Sequence, residues 1–211
     1  MLVDDHAMLR HGMAMLINLE PDMEVVAEAG DGDEALAILK SKPRPDIVLM
    51  DVSLKTLSGF EVIKTVHNLI SGLPVLVVSM HDELLYAERV LRAGGRGYIM
   101  KQEGGKKLML AIRQVLSGRI YVSEKISAKI LESYSGHNVN SQSPMETLSD
   151  REFEVFHLLG QGQGTRQIAK HLHISIKTVE VHRANIRKKL RLSSGAELVR
   201  YAIRWIEAEK P

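Results

Sequence analysis

The sequence predicts an α/β fold, with a doubly wound sheet of five parallel strands, followed by a small all-α domain of four helices. Over the first 118 residues, five short apolar runs alternate with segments of helical periodicity. This alternation is typical of parallel strands joined by crossover helices. A polar, turn-rich segment follows, and beyond it the pattern is helical only. The length of 211 residues accommodates two such domains.

Each predicted strand precedes a predicted helix. The strands are Leu2–Val3, Glu24–Ala27, Ile47–Met50, Val75–Val78 and Tyr98–Met100. The helices are Met8–Leu19, Asp33–Leu39, Phe60–Leu69, Leu84–Ala93 and Lys107–Leu116. The third and fourth strands are continuously apolar, as expected where helices cover both faces of a sheet. The first strand should be central, yet it is shorter than the usual length of about 5–6 residues. Either a few residues are missing from its start, which is the interpretation we favour, or the strand is unusually short.

The segment from Ser133 to Thr147 is rich in Ser and Asn and has no apolar period, which predicts a linker. We place the domains at residues 1–118 and 147–211, and we treat 119–146 as a linker with a possible helix near 123–132.

Four helices are predicted after the linker, at Phe153–Leu159, Thr165–Leu172, Lys177–Leu190 and Ser194 to about Glu207. The second and third are joined by a tight turn, and the third is basic, which describes a helix-turn-helix. Capping boxes of the form Ser-x-x-Glu are predicted at three helix starts. Their serines are Ser58, Ser149 and Ser194.

Composition narrows the classes of function. The chain has no Cys, which excludes disulfides, zinc fingers and thiol nucleophiles. No apolar run approaches the roughly 18 residues of a membrane span, and no signal peptide pattern is present. We expect a cytoplasmic protein with no membrane partner.

Charge is distributed unevenly along the chain. Residues 1–146 hold 16 Lys/Arg against 19 Asp/Glu, whereas residues 147–211 hold 12 against 7. A basic second domain behind an acidic first one suggests that the second domain binds nucleic acid.

Polar residues follow four of the five predicted strands. Asp4 and Asp5 follow the first, Asp51 the third, Ser79 the fourth and Lys101 the fifth. Open parallel sheets bind ligands at these strand ends. Three carboxylates gathered there need a cation, and Mg²⁺ prefers oxygen ligands. A carboxylate beside Mg²⁺ suits phosphoryl chemistry, with the carboxylate as nucleophile.

Residues 1–118 resemble the receiver domain of two-component response regulators, which has a flavodoxin-like fold. The matching stretches are Leu2–His6, Asp46–Asp51, Ser58–Glu61, Leu73–Ser79 and Ala93–Lys101. The resemblance implies that Asp51 accepts a phosphoryl group from a histidine kinase. It also implies an Mg²⁺ site and a set of switch residues. The implied Mg²⁺ site comprises Asp5, Asp51, the backbone carbonyl of Ser53 and, through water, Asp4. The implied switch residues are Ser79, Tyr98 and Lys101.

The match to receiver domains has one departure in the loop after Asp51. Receivers commonly carry a Pro-Gly pair there, where this chain has Lys55-Thr56, although Gly59 is kept.

The stretch Gly30-Asp-Gly32-Asp-Glu-Ala35 fits the dinucleotide-binding pattern G-x-G-x-x-A. That pattern belongs after the first, central strand, whereas here it follows the second. The nearby carboxylates would also repel a pyrophosphate. A glycine turn with a helix N-cap is the better interpretation.

The third helix of the second domain is amphipathic. Val179, Ile186 and Leu190 form one apolar stripe. The opposite face carries four cations with small apolar residues between them, as suits a helix in the major groove.

Residues 147–208 are similar to the LuxR-type DNA-binding domain. The stretches that carry the similarity include Leu148–Glu152, Gln167–Ala169, Lys177–Arg183 and Glu197–Val199. The similarity implies that Glu180, Val181 and Ala184 face base edges. The residues implied to hold phosphates are Lys177, Thr178, Arg183, Arg187 and Lys188. The residues implied to form a dimer surface are Leu198, Val199 and Ala202, so a homodimer on double-stranded DNA is expected.

These observations predict a phosphorylation-controlled transcriptional regulator rather than an enzyme. One alternative is a LuxR-type transcription factor that acts without phosphorylation and has a degenerate receiver. Another is an Mg²⁺-dependent phosphohydrolase of the haloacid-dehalogenase type. Such an enzyme would need a second Asp two residues after the nucleophile, where this chain has Ser53.

Overall fold

The computed structural model describes residues 1–54, 57–134 and 144–208. The chain forms two compact units, Met1–Val139 and Asn140–Pro211. Part of the predicted linker, and the Lys55-Thr56 pair in the loop after Asp51, lie outside the described residues. Each unit is presented by itself.

The first unit contains the predicted five-stranded parallel sheet. Its strands are β1 (Leu2–Val3), β2 (Glu28–Ala29), β3 (Val48–Met50), β4 (Val75–Ser79) and β5 (Gly97–Met100). They are arranged in the order β2-β1-β3-β4-β5, and every pair is parallel. The order changes direction at β1, as expected of a doubly wound sheet.

The prediction for the second strand was wrong in position. The apolar run at Glu24–Ala27 suggested a strand, but β2 lies at Glu28–Ala29 and pairs with Leu2 and Val3. Val26, in the predicted strand, is 61% exposed. Because β2 is an edge strand, its position is set by pairing with β1 rather than by its own apolar content.

Helices follow each strand of the first unit. They are α1 (Ala7–Asn18), α2 (Gly32–Lys40), α3 (Gly59–Leu69), α4 (Glu83–Arg92), α5 (Gly105–Leu116) and α6 (Glu124–Tyr134). A short 3₁₀ turn over Lys101–Glu103 separates β5 from α5. The helix α6 occupies the place where the sequence indicated a possible helix.

The core of the first unit follows from the alternation of side chains along each strand. Leu2, Leu49 and Leu76 are paired in one row across the sheet and pack with α1 and α5 in one buried cluster. The next row, which includes Met50 and Tyr98, faces the opposite side and is equally buried. The strand ends that carry the polar residues are therefore held between two apolar layers.

The second unit contains four helices after a 3₁₀ turn at Pro144–Thr147. They are α7 (Asp150–Gly160), α8 (Thr165–His171), α9 (Ile176–Lys189) and α10 (Gly195–Ala208). Phe153 and Phe156 of α7 meet the ring of Trp205 on α10 edge-on, at centroid distances of 5.8 and 5.6 Å. Gly160 allows α10 to approach, since a Cβ there would lie 2.6 Å from the carbonyl oxygen of Ala202.

Two of the three predicted capping boxes are complete. Ser58 and Ser149 each accept a backbone N–H from the first turn, and the Glu three residues later accepts the serine's own N–H. At α10 the prediction was half right. Ser194 accepts the N–H of Glu197, but the Glu197 carboxylate binds Ser193 instead.

The G-x-G-x-x-A stretch forms a helix N-terminus. Asp31 is the N-cap of α2 and accepts the N–H of Glu34 at 2.9 Å, while the Glu34 carboxylate accepts the N–H of Gly30. A Cβ at Gly32 would lie 2.7 Å from the side chain of Leu57. Close packing thus accounts for the glycine at position 32. Across the described parts of the chain, no helix is long and apolar enough to cross a membrane.

Candidate functional sites: an acidic pocket and a nucleic-acid interface

The polar residues predicted at the strand ends meet at one edge of the sheet. Asp4 and Asp5 directly follow β1, Asp51 follows β3, Ser79 closes β4 and Lys101 follows β5. Because the strands are parallel and adjacent, their carboxyl ends share this edge. The structure therefore brings together the five residues that the sequence selected.

Lys101 is the centre of the pocket. Its ammonium nitrogen lies 2.7 Å from a carboxylate oxygen of Asp4 and 2.7 Å from one of Asp51. Its side chain is 3% exposed, and those of Asp4 and Asp51 are 1% and 5% exposed. Buried charges of this kind persist only when they are paired.

The pocket is left with excess negative charge. Three carboxylates face one ammonium, so two negative charges are unbalanced when all are ionised. Burial raises the pKa of Asp51, and the neighbouring Lys101 opposes this increase without cancelling it. Burial would lower the pKa of Lys101, but the carboxylates of Asp51 and Asp4 outweigh that effect and raise it. The pocket is thus suited to a divalent cation.

The ligand atoms of Asp4, Asp5, His6 and Asp51 all lie within 4.8 Å of one another. One oxygen of Asp5 is buried, and its near contact is the Nδ1 of His6 at 2.7 Å. This oxygen-rich set fits a hard cation such as Mg²⁺. The sequence had not assigned His6 to the cluster. Its position directly after Asp4 and Asp5 in the sequence could have suggested that it belongs to the cluster.

The loop after Asp51 folds back onto the strand. The N–H of Ser53 donates to the Asp51 carboxylate at 3.3 Å, which places Ser53 at the pocket. Gly59 passes close by, since a Cβ there would lie 2.3 Å from the carbonyl oxygen of Asp51. This explains in physical terms why a glycine stands at that position.

Ser79 and Tyr98 meet at a third residue, His81, which the sequence had not singled out as part of the switch. The hydroxyl of Tyr98 donates to the carbonyl of His81 at 2.9 Å, and the N–H of His81 donates to Ser79 Oγ at 3.2 Å. Tyr98 is 1% exposed, and burial raises the pKa of its hydroxyl.

The His81 ring joins this group to the acidic pocket. Its Nε2 lies 2.7 Å from Ser53 Oγ, and the ring stacks on Tyr86 of α4 at a centroid distance of 4.5 Å. No periodicity marks such a residue in the sequence, because its position depends on the conformation of the loop between β4 and α4.

In the second unit, α8 and α9 are joined by a tight turn. His173 in this turn has a φ of 52°, in the left-handed region. The hydroxyl of Ser175 caps α9 by accepting the N–H of Thr178 at 3.0 Å. This is the helix-turn-helix arrangement that the sequence predicted.

Most of the predicted DNA-binding residues lie on the outer face of α9. Those that are exposed are Lys177, Glu180, Val181, Ala184 and Lys188. Those that are half-buried are Thr178, Arg183 and Arg187. Val179 and Ile186, on the opposite stripe, are fully buried.

Two basic residues of α9 are held by the unit itself. Arg183 donates to the hydroxyl of Thr165 at the start of α8. Lys189 lies 2.6 Å from the buried carboxylate of Glu152 on α7. Burial alone would raise the pKa of Glu152, but Lys189 and the N–H of Ser149 hold it below its usual value. These contacts fix α9 against its neighbours.

Three further polar residues of α8 and α9, which the sequence prediction did not include, are exposed. Asn185 is exposed one helical turn after Val181, and Arg166 and Lys170 are exposed on α8. Helical spacing from Val181 could have identified Asn185.

The three residues predicted to form a dimer surface differ in exposure. Leu198 and Ala202 are fully buried within the unit, where α10 packs on α7. Val199 on α10 is half-exposed. A surface on this helix that meets a second copy would therefore be built around Val199, because the other two side chains complete the unit's own core.

Comparison with known proteins assigns a family to each unit. Residues 1–113 match the response regulator receiver domain, and residues 146–202 match the bacterial regulatory proteins of the luxR family. The chain is 37% identical over 208 residues to the oxygen regulatory protein NreC of Staphylococcus haemolyticus, covering 96% of this chain and 95% of that protein.

Solved structures agree with these matches. A two-component response regulator of the LuxR family from Aurantimonas sp. SI85-9A1 is 34% identical with a TM-score of 0.58, covering 64% of this chain and 95% of that one. A structure of two RcsB dimers bound to two parallel DNAs is 25% identical with a TM-score of 0.55, covering 95% and 94%.

Proposed function

The chain belongs to the two-component response regulators that join a receiver domain to a LuxR-family DNA-binding domain, and from that membership we infer that it is a phosphorylation-controlled transcriptional regulator. The first unit receives the phosphoryl group and the second binds double-stranded DNA. It acts as a regulator in the cytoplasm, where its DNA lies, and not as an enzyme with a turnover substrate of its own.

Asp51 is the proposed phosphoryl acceptor. The observation that carries this proposal is the ammonium of Lys101, 2.7 Å from the carboxylates of both Asp51 and Asp4. Lys101 holds a buried carboxylate at the open end of the sheet, and it remains there to pair with phosphoryl oxygens. Asp5, at the end of the neighbouring strand, adds a further negative charge that a bound cation would balance.

The transfer itself needs little from the protein besides position and charge. An oxygen of Asp51 attacks phosphorus, the phosphorus–nitrogen bond of a phosphohistidine breaks, and the imidazole of the kinase leaves with the bonding electrons. With acetyl phosphate as donor, a phosphorus–oxygen bond breaks and acetate leaves. Asp4, Asp5, Asp51 and the Ser53 carbonyl would hold Mg²⁺, which supplies neutralisation of the phosphoryl charge when bound.

Ser79, Tyr98 and Lys101 are the proposed switch. Ser79 Oγ accepts the N–H of His81, and its own O–H remains available to donate to a phosphoryl oxygen. Tyr98 is anchored to the carbonyl of the same residue. A movement of Ser79 toward Asp51 therefore acts directly on the residue that holds Tyr98. This is a local change that biases a two-state element.

The second unit binds DNA through the outer face of α9, and it does so as a homodimer. We assign phosphate contacts to the exposed cations Lys177 and Lys188, and a base contact to the exposed Val181, which lies between them in the sequence. The RcsB structure with dimers on DNA supports paired half-sites for this chain as well.

Phosphorylation is the decisive experiment. The full chain is incubated with Mg²⁺ and acetyl phosphate, and its intact mass is measured, with Asp51→Ala as the matched control. One added phosphoryl group on the wild type and none on the variant is the expected result. DNA affinity and dimer content, measured on the same samples, should rise with the phosphoryl group.

Each alternative has its own outcome in this experiment. Equal DNA binding by wild type and Asp51→Ala, with no effect of a cognate kinase, would favour regulation without phosphorylation. Steady release of phosphate from a phosphomonoester, lost in Asp51→Ala, would favour a phosphohydrolase.

A further inference from the structure

The outer face of α9 carries one carboxylate among its cations. Glu180 is exposed, and no ion pair or hydrogen bond of its side chain occurs within the described part of the chain. Its neighbours on this face are Lys177, Val181 and Ala184, each three or four residues away or adjacent. If this face enters the major groove, as proposed above, Glu180 enters with it.

A carboxylate in the major groove distinguishes strongly between DNA sequences. Two rows of phosphates repel it, so it weakens every complex in which it finds no hydrogen-bond donor. The donors on the base edges of the major groove are the N4 amino group of cytosine and the N6 amino group of adenine. Glu180 therefore excludes sites that leave its oxygens unpaired.

Cytosine is favoured over adenine. Adenine presents its N7 lone pair next to the N6 donor, and that lone pair repels a carboxylate. Cytosine presents its N4 donor beside a carbon-bound hydrogen, which does not. Glu and Asp accordingly accept from cytosine N4, whereas Gln and Asn form paired bonds with adenine N6 and N7.

The residues beside Glu180 are apolar and accessible. Val181 is 51% exposed although it lies on a polar helix face, and Ala184 is exposed one turn further along. An exposed branched apolar side chain in the groove matches the methyl group of thymine. We propose that Glu180 selects cytosine, with Val181 against a neighbouring thymine, so that each half-site contains a cytosine that this carboxylate reads. This inference rests on the proposed DNA-binding function.

Two cations and one hydroxyl of α9 are bound by other residues of the second unit. Arg183 is held by Thr165, and Lys189 by Glu152. Thr178 is engaged with the capping hydroxyl of Ser175 at 2.7 Å. The helix is thus fixed in place while Glu180 projects from it unpaired.

The test is selection of binding sites from a pool of DNA with a randomised central segment. It uses the full chain with Mg²⁺ and acetyl phosphate and compares wild type, Glu180→Gln and Glu180→Ala. Glu207→Gln is the matched control, because it makes the same change of charge at an exposed position on α10. Emission from Trp205 in the second unit verifies that each variant is folded.

Wild type and Glu207→Gln should enrich cytosine at one position of each half-site. Glu180→Gln should shift that position to adenine, by about tenfold in relative affinity. Glu180→Ala should lose the preference and bind unrelated DNA more tightly, since a repulsive charge is gone.

An unchanged base preference in both Glu180 variants would overturn the inference while leaving DNA binding intact. DNA binding by the wild type without any base preference would overturn it equally. Failure of the wild type to bind DNA at all would overturn the proposed function together with it.

Discussion

The burial of Asp51 has two opposing consequences. A carboxylate whose side chain is 5% exposed, beside two others, is a poor place for a negative charge, yet its proposed role as a nucleophile toward phosphorus requires that charge. Lys101 balances part of this charge at 2.7 Å from Asp51 and Asp4. The receiver therefore stores unfavourable electrostatic energy that a cation or a phosphoryl group with its cation relieves.

Asp51→Asn should stabilise the first unit in the absence of Mg²⁺, on the order of 1 kcal/mol at neutral pH. The folded-state pKa of Asp51 is raised, so its ionised form costs stability at any pH above that pKa. The cost disappears as the pH falls through the folded-state pKa, and the two proteins should then unfold alike. Thermal unfolding at a series of pH values measures this difference.

Mg²⁺ provides the control for this prediction. Mg²⁺ should raise the thermal-unfolding midpoint of the wild type more than that of Asp51→Asn, since the variant has lost one of the carboxylates that would bind the ion. Greater stability of the wild type without Mg²⁺ would show that the Lys101 pair outweighs the repulsion.

The sequence identified the charged residues of this pocket but not the residue that connects them to the switch. Asp4, Asp5, Asp51 and Lys101 each follow an apolar run, and parallel strands bring such positions together. His81 lies in a loop, and its contacts with Ser53 and Tyr98 depend on backbone angles that no pattern of residue types records.

At the scale of helices, one ion pair connects α7 to α9. Glu152 is 4% exposed, and its carboxylate is bound by Lys189 and by the N–H of Ser149. The same residue thus completes the capping box of one helix and anchors the other. The start of α7 therefore positions α9.

Lys189→Gln should destabilise the second unit by about 1 kcal/mol at neutral pH, a modest value because the lysine side chain is 38% exposed. The pKa of Glu152 is lowered in the folded state, so its stabilising contribution is present above the pKa of a free Glu. It is lost as the pH falls through the folded-state value. The difference between the proteins should therefore vanish in acid.

Chemical denaturation followed by Trp205 emission measures this, since the chain has one Trp and it lies in the second unit. Lys188→Gln, which removes an exposed charge next to Lys189, is the control and should leave the unfolding curve unchanged.

The crossing of α7 and α10 gives a second test at this scale. Gly160→Ala should destabilise the second unit by about 1–3 kcal/mol, because the added Cβ would meet the Ala202 carbonyl at 2.6 Å. This loss outweighs the gain in helix propensity.

Gly12→Ala on α1 is the control. Nothing lies within 4 Å of its added Cβ, so it should stabilise the first unit slightly. Equal stability of Gly160→Ala and wild type would mean that the helices separate without cost.

The sequence predicted the bounds of an element well where periodicity and capping residues agreed. It predicted them less well where pairing with a distant strand sets the position of the element. The helix starts at Ser58 and Ser149 follow from local hydrogen bonds that short sequence patterns encode. The position of β2 follows from the bond between the N–H of Leu2 and the carbonyl of Ala27, which joins residues far apart in the chain. The residue types around Ala27 do not indicate this hydrogen bond.

For the whole molecule, regulation requires that the phosphoryl group on the first unit change the association of the second with DNA. Dimerisation is a direct route, because two half-sites bound together gain affinity through effective concentration. On α10, Val199 is accessible for contact with a second copy. Leu198 is not, because it is buried in the core of the second unit.

Val199→Glu should therefore abolish the advantage of paired half-sites while preserving the fold. Two glutamates facing each other across a two-fold contact repel, so affinity for paired sites should fall at least tenfold toward that for one site. Binding to a DNA with a single half-site should be unchanged, because α9 is untouched. Leu198→Glu, one residue earlier, should instead unfold the second unit, since it buries a charge in the core.

Fluorescence anisotropy with single and paired half-sites, together with Trp205 emission, separates these outcomes. If Val199→Glu keeps the paired-site advantage, the two copies meet elsewhere, and the receiver becomes the surface through which phosphorylation assembles the dimer. If both variants lose binding to the single site as well, the α10 face supports the fold rather than the pairing of copies.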